Sequence, residues 1–323
     1  MVSAVHRSAS YVFGTLAQVT LLAEPREAQA AAQALLAEFD RLHWKLHAWK
    51  PGELDALNRA IAAGETPVAL DAELARVLRG ARELSERSGG LFDPAIGRAV
   101  GLWNFHDDTV QGEPPPRAAL EPLLAARPRM TDLAIDGGRL VCANRMVQLD
   151  LGGYAKGYAL DRARELLAGR PVAGALIDLG GHVMALGRCG DRPWAVGLRR
   201  PRGAGLLARI ELHDGEVLST SGDYERFLSF RGRRYGHVID PRSGVPARSA
   251  RAASVLVGPG TEAGALSDAA SAALFVARPG EWRAAAARMG IARVLRVEAS
   301  GRLVATQAMR ERLELSAAAA AAA

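Results

Sequence analysis

Lysine is almost absent from this chain of 323 residues, since only three of its 41 basic residues are lysine and the others are arginine. Cysteine is also scarce, with Cys142 and Cys189 as its two examples. Their spacing fits no metal site, so two free and mostly buried thiols are the preferred interpretation, with a disulfide between them as the alternative. No apolar run reaches the roughly 18 residues that a membrane-spanning helix needs, so we expect no transmembrane segment.

Two nucleotide-binding signatures are missing as well. The chain contains no Gly-x-Gly-x-x-Gly fingerprint and no Walker A motif, which disfavours a Rossmann domain and a P-loop. The net charge is +6, but the arginines are interspersed with acids, which favours anionic small ligands over nucleic acid. Residues 1–10 contain no apolar signal core and no lipobox cysteine, so a cytoplasmic location is the expectation for the chain as written, and its true compartment stays open.

Composition and pattern indicate one large domain of the α+β class. Apolar residues make up 49% of the chain, which is enough for a sizeable core. Predicted strands and helices are mixed without strict alternation, as in mixed sheets with packed helices. We expect a flexible segment at residues 1–10, a domain at 11–314 and an alanine-rich tail, disordered or frayed, at 315–323.

Three local predictions concern element boundaries. The pattern from Tyr11 to Leu22 predicts a first strand. A helix is predicted from Asp71 to Ser88 with Asp71 as its N-cap, and another from Thr261 to Ala277 with Thr261 as its N-cap.

The most informative stretch is residues 148–160, which read Gln-Leu-Asp-Leu-Gly-Gly-Tyr-Ala-Lys-Gly-Tyr-Ala-Leu. Alternating apolar residues along 147–151 predict a half-buried strand, which leads through two glycines into a helix. Backbone N–H groups at such a helix start can bind phosphate. Asp150 ends the strand and Lys156 lies in the turn. A compact ammonium, kept where the chain otherwise uses arginine, favours a phosphate or carboxylate contact over a solvent-facing lysine.

Other candidates for chemistry lie further along the chain. His237 precedes a proline-containing turn and could act as a general base, although it is one of seven histidines and could simply be exposed. Asp268 shares one face of the last long predicted helix with Ser271 and Ala272. Because that helix is otherwise small and apolar, Asp268 needs a partner, which could be Mg²⁺ or a buried hydrogen-bond donor.

Six sequence blocks occur in an order typical of one protein family. The blocks are Ser88-Gly-Gly-Leu-Phe-Asp-Pro with Leu102-Trp-Asn-Phe, Asp150-Leu-Gly-Gly-Tyr-Ala-Lys-Gly-Tyr, Leu179-Gly-Gly, Pro193-Trp-Ala-Val-Gly, Thr220-Ser-Gly-Asp-Tyr-Glu-Arg and Tyr235-Gly-His-Val-Ile-Asp-Pro-Arg-Ser-Gly. Together they resemble the ApbE family of FAD:protein FMN transferases over nearly the whole chain. The resemblance implies an Mg²⁺-dependent enzyme that moves FMN from FAD to a Thr or Ser hydroxyl of an acceptor flavoprotein and releases AMP. Redox or respiratory complexes, often on the exported side of the inner membrane, are the implied acceptors.

The same resemblance implies roles for individual residues. His237 would deprotonate the acceptor hydroxyl, while Gly153 and Asp268 would ligate Mg²⁺. The residues implied in FAD binding are Phe13, Trp49, Leu91, Phe92, Asp93, Asp150, Lys156 and Ile239.

The chain departs from the family pattern at several of these positions. Ala272 stands where the family has a metal-ligating threonine, so the neighbouring Ser271 is the candidate replacement. His182 stands where an aspartate or asparagine is usual, and Phe13 and Trp49 replace methionine and tyrosine. These departures keep two alternatives open: an FAD pyrophosphatase that yields FMN and AMP, and a non-catalytic FAD-binding accessory protein.

Overall fold

The structure is a computed structural model that describes residues 4–107 and 109–320. Its strands are β1 Ala4–Val12, β2 Thr15–Ala23, β3 Val68–Ala69, β4 Leu133–Asp136, β5 Arg139–Cys142, β6 Val172–Leu179, β7 His182–Gly187, β8 Trp194–Arg199, β9 Leu206–Leu212, β10 Val217–Gly222, β11 Phe227–Phe230, β12 Arg233–Gly236, β13 Ile239–Asp240, β14 Val245–Pro246, β15 Ala250–Val257, β16 Arg293–Glu298, β17 Leu303–Ala305 and β18 Leu313–Leu315. Its helices are α1 Pro25–Lys45, α2 Glu53–Ala63, α3 Ala72–Ser88, α4 Gly97–Leu102, α5 Arg117–Ala126, α6 Ala155–Leu167, α7 Ala263–Val276, α8 Trp282–Met289, α9 Gln307–Arg310 and α10 Ala317–Ala320.

An eight-stranded antiparallel sheet forms the centre of the fold, in the order β1-β2-β6-β7-β10-β15-β16-β17. Neighbouring residues of its strands point to opposite faces. Val255 packs into the core shared with helices α1, α3, α6 and α7, whereas Leu256 packs against the smaller sheet β18-β9-β8. The predicted α+β class, with mixed sheets and packed helices, is therefore confirmed. No helix among the described residues is long and apolar enough to cross a bilayer, and Cys142 and Cys189 are both free thiols.

The predicted flexible segment at residues 1–10 is wrong for residues 4–10, because these belong to β1 and pair with β2. The single strand predicted from Tyr11 to Leu22 is instead interrupted by a hairpin turn at Phe13 and Gly14, whose φ angles are 55° and 68°. Residues 1–3 lie outside the described part of the chain. The error arose because β1 lies at an edge of the sheet and is mostly exposed, with Val12 as its one buried residue, so a buried apolar face does not mark it.

The alanine-rich tail is also more ordered than predicted. Leu315 ends β18, which pairs with β9, and Ala317–Ala320 forms a short helix in which Ala319 is buried. Residues 321–323 of the predicted tail lie outside the described residues. Low complexity alone therefore did not indicate disorder here, because an alanine methyl can still be buried against the neighbouring strand.

The segment at 147–151 is extended and alternately buried as predicted, but it is not a strand of a sheet. On one edge, the side chain of Asn58 accepts the Leu149 N–H at 2.7 Å and donates to the Leu149 carbonyl at 2.9 Å. On the other edge, the backbone of Gln148 and Asp150 bonds to residues 94–97, with a single bridge between Gln148 and Ile96. The strand prediction is wrong because one edge is completed by a side-chain amide, which periodicity cannot reveal, and the other by one short bridge.

Helix caps give one confirmed prediction and one wrong one. The side chain of Asp71 accepts the Leu74 N–H at the start of α3, as predicted. Thr261, however, does not cap α7, which begins at Ala263. Instead, Asp161 of α6 accepts the N–H groups of Gly264 and Ala265 at 2.8 and 2.9 Å. A carboxylate from another helix thus binds the positive end of α7.

Helices α6 and α7 cross at two glycines, and this crossing places the acidic side chain of α7. A Cβ on Gly157 would lie well inside van der Waals contact of the Gly264 carbonyl oxygen, and a Cβ on Gly264 would meet the Gly157 oxygen in the same way. The Gly157 N–H donates to Asp268 Oδ2 at 2.9 Å. The close crossing therefore fixes Asp268 beside the first turn of α6, which contains Lys156; the sequence had placed Lys156 in the turn before this helix.

Candidate active site

A cleft of about 610 Å³ opens between the β1–β2 turn, the loop after α1, the segment after α3, the glycine turn before α6, and α7. Its volume lies in the range of small-molecule sites. The structure brings together in this cleft all the predicted site residues except Ser271: Phe13, Trp49, Leu91, Phe92, Asp93, Asp150, Gly153, Lys156, His237, Ile239 and Asp268.

Ser271 faces the central sheet and is not among the residues that line the cleft. Its side chain is fully buried, pairs with the Ser221 hydroxyl at 2.7 Å and donates to the Asp268 carbonyl at 2.9 Å. Ser267, one helical turn earlier, makes the same kind of pair with Ser219. These hydroxyl pairs attach α7 to β10, and it is the apolar Ala272 that lines the cleft instead.

The glycine turn is held in a fixed shape by Asp150. One carboxylate oxygen of Asp150 accepts the Trp49 indole N–H at 2.9 Å, and the other accepts the Gly152 N–H at 2.8 Å. The Lys156 ammonium donates to the Gly152 carbonyl at 2.7 Å. The indole of Trp49 also stacks on His106, with 4.6 Å between ring centroids. One wall of the cleft thus combines a stacking surface, a carboxylate and an ammonium.

Asp268 and His182 form a buried pair in the same cleft. Asp268 is 1% exposed and His182 is 4% exposed. Asp268 Oδ2 is occupied by the Gly157 N–H, and Oδ1 lies 3.4 Å from His182 Nδ1. Burial lowers the pKa of His182 to about 4, although the Asp268 carboxylate opposes the shift. His182 is therefore a neutral imidazole at physiological pH. Sequence reasoning gave it no role, and its only signal was the unusual residue after Leu-Gly-Gly.

His237 is also held neutral, with one ring nitrogen committed to the backbone. The Arg226 carbonyl lies 3.1 Å from His237 Nδ1 and also accepts the His237 backbone N–H at 3.0 Å. Because a carbonyl can only accept, Nδ1 carries the proton and Nε2 keeps its lone pair. Burial lowers the pKa of His237 to about 4. The residue is thus a base that is already deprotonated at neutral pH.

Asp93 lines the cleft, but its carboxylate is committed to the protein. One oxygen accepts the N–H groups of Ala95 and Met130 at 3.0 and 3.1 Å, and the other accepts the Ser85 hydroxyl at 3.1 Å. Burial raises the pKa of Asp93. Its carboxylate therefore holds this segment in place, while the neighbouring Phe92 forms an apolar part of the wall.

The cleft offers few protein ligands for a metal. Among the described residues, no group of three or more His, Cys, Asp or Glu side chains is placed to hold an ion. An ion at Asp268 would therefore take further ligands from backbone carbonyls, water or a substrate phosphate, which is how proteins usually bind Mg²⁺ beside nucleotides. Asp268 Oδ1 lies 3.4 Å from His182 Nδ1, which is longer than a good N–H···O hydrogen bond, so this carboxylate oxygen is available to an ion.

Comparison with known sequences identifies close relatives. A sequence model described as the ApbE family matches residues 13–295. An FAD:protein FMN transferase from Rhodobacter capsulatus is 45% identical over 305 residues, which cover 94% of this chain and 57% of the relative. Another from Treponema pallidum is 35% identical over 281 residues, which cover 81% of this chain and 76% of the relative. The chain thus spans little more than half the length of the Rhodobacter protein.

Comparison with solved structures supports the same fold over nearly the whole chain. The crystal structure of an ApbE protein from Thermotoga maritima superposes with a TM-score of 0.86 and 28% identity, over 96% of this chain and 99% of that one. The apo form of the flavinyl transferase ApbE from Pseudomonas stutzeri gives a TM-score of 0.79 and 26% identity, over 97% and 98% of the two chains.

Proposed function

The chain belongs to the ApbE family, as its sequence blocks predicted, and from this premise we propose that it transfers the FMN part of FAD to a Thr or Ser hydroxyl of an acceptor flavoprotein. AMP is the second product. The observation that carries the proposal is His237, a neutral base of fixed tautomer in the same cleft as Lys156 and Asp268. The proposed acceptor class is a flavoprotein of a redox or respiratory complex.

The residues of the cleft suit the parts of FAD. Phe13, Trp49 and Phe92 offer aromatic surface for a flavin or adenine ring. Lys156 lines the cleft and supplies a positive charge that suits the diphosphate. Mg²⁺ held by Asp268 and the Gly153 carbonyl would neutralise charge on the phosphates.

The reaction proposed for this cleft is a phosphoryl transfer. His237 Nε2 accepts the proton of the acceptor hydroxyl while the hydroxyl oxygen forms a bond to the FMN-side phosphorus. The bond from that phosphorus to the bridging oxygen breaks, and AMP leaves with the bridging oxygen. Catalysis of this kind depends mainly on positioning and charge neutralisation, which the fixed glycine turn and Lys156 provide.

The alternative of a non-catalytic FAD-binding protein is favoured by one observation. Ala272 lines the cleft without a side-chain oxygen, and Ser271 is committed to β10. The alternative predicts that Ala272→Thr raises metal affinity and creates activity that the wild type lacks. Flavin transfer by the wild type would contradict this alternative.

The test of the proposed function is covalent flavinylation. The purified chain is incubated with FAD, Mg²⁺ and a soluble acceptor domain, and flavin fluorescence is measured in a denaturing gel. We expect fluorescence on the acceptor, and none on an acceptor whose target Thr or Ser is replaced by alanine. FAD binding without covalent flavin on any redox flavoprotein tested would contradict the proposal.

Trp49→Phe keeps an aromatic ring but removes the N–H that Asp150 accepts. Because a hydrogen bond to a charged group contributes about 1.5–3 kcal/mol, we expect the Kd for FAD to rise by about tenfold or more. Isothermal titration calorimetry measures the change. Trp44→Phe is the matched control, since Trp44 is 46% exposed and does not line the cleft. Equal Kd values for the two variants would show that the Asp150 contact does not shape the site.

The rate of transfer should stay high on the acid side of neutrality. The pKa of His237 is lowered to about 4, so the basic form persists as the pH falls through the usual imidazole range near 6.5. We expect kcat/KM to be flat from about pH 7.5 to 5.5 and to decline below about pH 5 as the imidazole is protonated. Circular dichroism at each pH controls for unfolding. An acid limb centred at or above pH 6.5 in the folded protein would contradict the assignment.

A further inference from the structure

We propose that His182 Nδ1 and Asp268 Oδ1 together ligate a divalent ion of the borderline transition-metal class, such as Co²⁺, Ni²⁺ or Zn²⁺, in preference to Mg²⁺. The inference deepens the proposed function, on which it rests for the role of the ion in the cleft. It concerns this chain's own residues, because a histidine at this position replaces the oxygen ligands that suit Mg²⁺.

The distance between the two atoms fits a shared ion. At 3.4 Å, Nδ1 and Oδ1 are further apart than a good N–H···O hydrogen bond. Two ligands that each lie about 2.1 Å from one ion are separated by about 3.0 Å in an octahedron and about 3.4 Å in a tetrahedron. The observed spacing is therefore that of two ligand atoms on one ion.

The burial of His182 Nδ1 is a second, independent reason to expect an ion at this atom. His182 Nδ1 is buried and has no hydrogen-bond partner among the described residues. A buried polar atom without a partner is unfavourable, and native proteins rarely leave one unless it binds something. His182 and Asp268 both line the cleft, so the pair lies at its wall.

Both ligands are held in position by the fold. Asp268 is fixed by the Gly157 N–H on its other oxygen. His182 begins β7 and lies opposite Ser219 of β10 in the sheet. Rigid ligands of this kind bind an ion without first losing side-chain freedom.

The chemistry of the ligands sets the preference. Imidazole nitrogen suits Co²⁺, Ni²⁺ and Zn²⁺, whereas Mg²⁺ prefers oxygen. Ala272 contributes no oxygen to the cleft, and the Ser271 hydroxyl is bonded to Ser221. The protein side chains left for the ion are therefore one nitrogen and one carboxylate, with the remaining positions open to backbone, water or phosphate.

The first test measures metal affinity in the untagged full chain after removal of metal. Kd values for Co²⁺ and Mg²⁺ are measured by calorimetry on the wild type and on His182→Asn, with circular dichroism to confirm folding. We expect the wild type to bind Co²⁺ about 100-fold more tightly than Mg²⁺, and His182→Asn to lose about 10- to 100-fold in Co²⁺ affinity with little change for Mg²⁺. His213→Asn, which alters an exposed histidine before β10, should match the wild type.

The second test observes the ligand directly, and its decisive measurement is made on the wild type. X-ray absorption of the Co²⁺-loaded wild type should show the outer-shell scattering of an imidazole ligand. The signal should persist in His237→Asn, which removes another histidine of the cleft, and should vanish in a folded His182→Asn variant. Absence of imidazole scattering in the wild type, or an equal preference for Co²⁺ over Mg²⁺ in wild type and His182→Asn, would overturn the inference.

The two proposals fail in different ways. Flavin transfer with Mg²⁺ but no imidazole scattering would overturn the histidine ligand and leave the proposed function intact. Imidazole scattering in a chain that neither binds FAD nor flavinylates an acceptor would support the metal site and remove the proposed function.

Discussion

Replacing His237 with alanine is expected to reduce the kcat of flavin transfer by about 10²- to 10⁴-fold while FAD binding changes little. The imidazole is neutral, and its Nδ1–H is bonded to the Arg226 carbonyl, so Nε2 is the atom that can accept a proton. Single-turnover transfer to the acceptor, with FAD affinity measured in parallel, separates the loss of the base from a loss of binding.

The control for this prediction is His213→Ala, because His213 is exposed in the turn before β10. It should transfer flavin at the wild-type rate. A His237→Ala variant that keeps more than about a tenth of the wild-type rate would show that another group, or the substrate itself, accepts the proton.

Replacing Gly157 with alanine is expected to lower the free energy of unfolding by about 3 kcal/mol or more. The added methyl group would overlap the Gly264 backbone oxygen and approach the Cβ of Asp268 too closely. Backbone atoms cannot move aside as the end of a long side chain can, so α6 and α7 must separate. Because the Gly157 N–H holds Asp268, the same change should also weaken metal-dependent activity. Urea denaturation measures the free energy of unfolding.

Gly258→Ala is the matched control for the helix crossing. A Cβ at Gly258 would meet no atom within 4 Å, and the residue does not have a positive φ. It should unfold within about 0.5 kcal/mol of the wild type. A Gly157→Ala protein of wild-type stability would mean that α6 and α7 do not cross as closely as described.

Local sequence signals predicted those parts of the fold that depend on neighbours in the chain. The N-cap at Asp71 is one such part, because its side chain accepts an N–H only three residues further along the chain. The missed features join distant segments. Asn58 completes the backbone of Leu149 across 91 residues, and Asp161 binds the start of α7 across 103 residues. Hydrophobic periodicity contains no information about such pairs.

In the candidate site, too, the sequence predicted some features and missed those that depend on distant segments. The family blocks predicted which residues line the cleft, but not the direction in which each side chain points. Ser271 follows Asp268 by three positions, yet its hydroxyl bonds to Ser221 of β10 and Ser271 does not itself line the cleft. Asp93 lines the cleft, and the sequence did not reveal that its oxygens accept donors from Ser85, Ala95 and Met130. Both outcomes depend on partners that only the folded chain supplies.

The most direct measurement of the proposed transfer counts both products of FAD in one reaction. AMP is quantified by chromatography, and covalently bound FMN is quantified on the denatured acceptor. We predict equal amounts of the two when acceptor is present, and no AMP when the acceptor or its hydroxyl is absent. AMP and free FMN released at the same rate with or without acceptor would contradict transfer and identify the protein as an FAD pyrophosphatase.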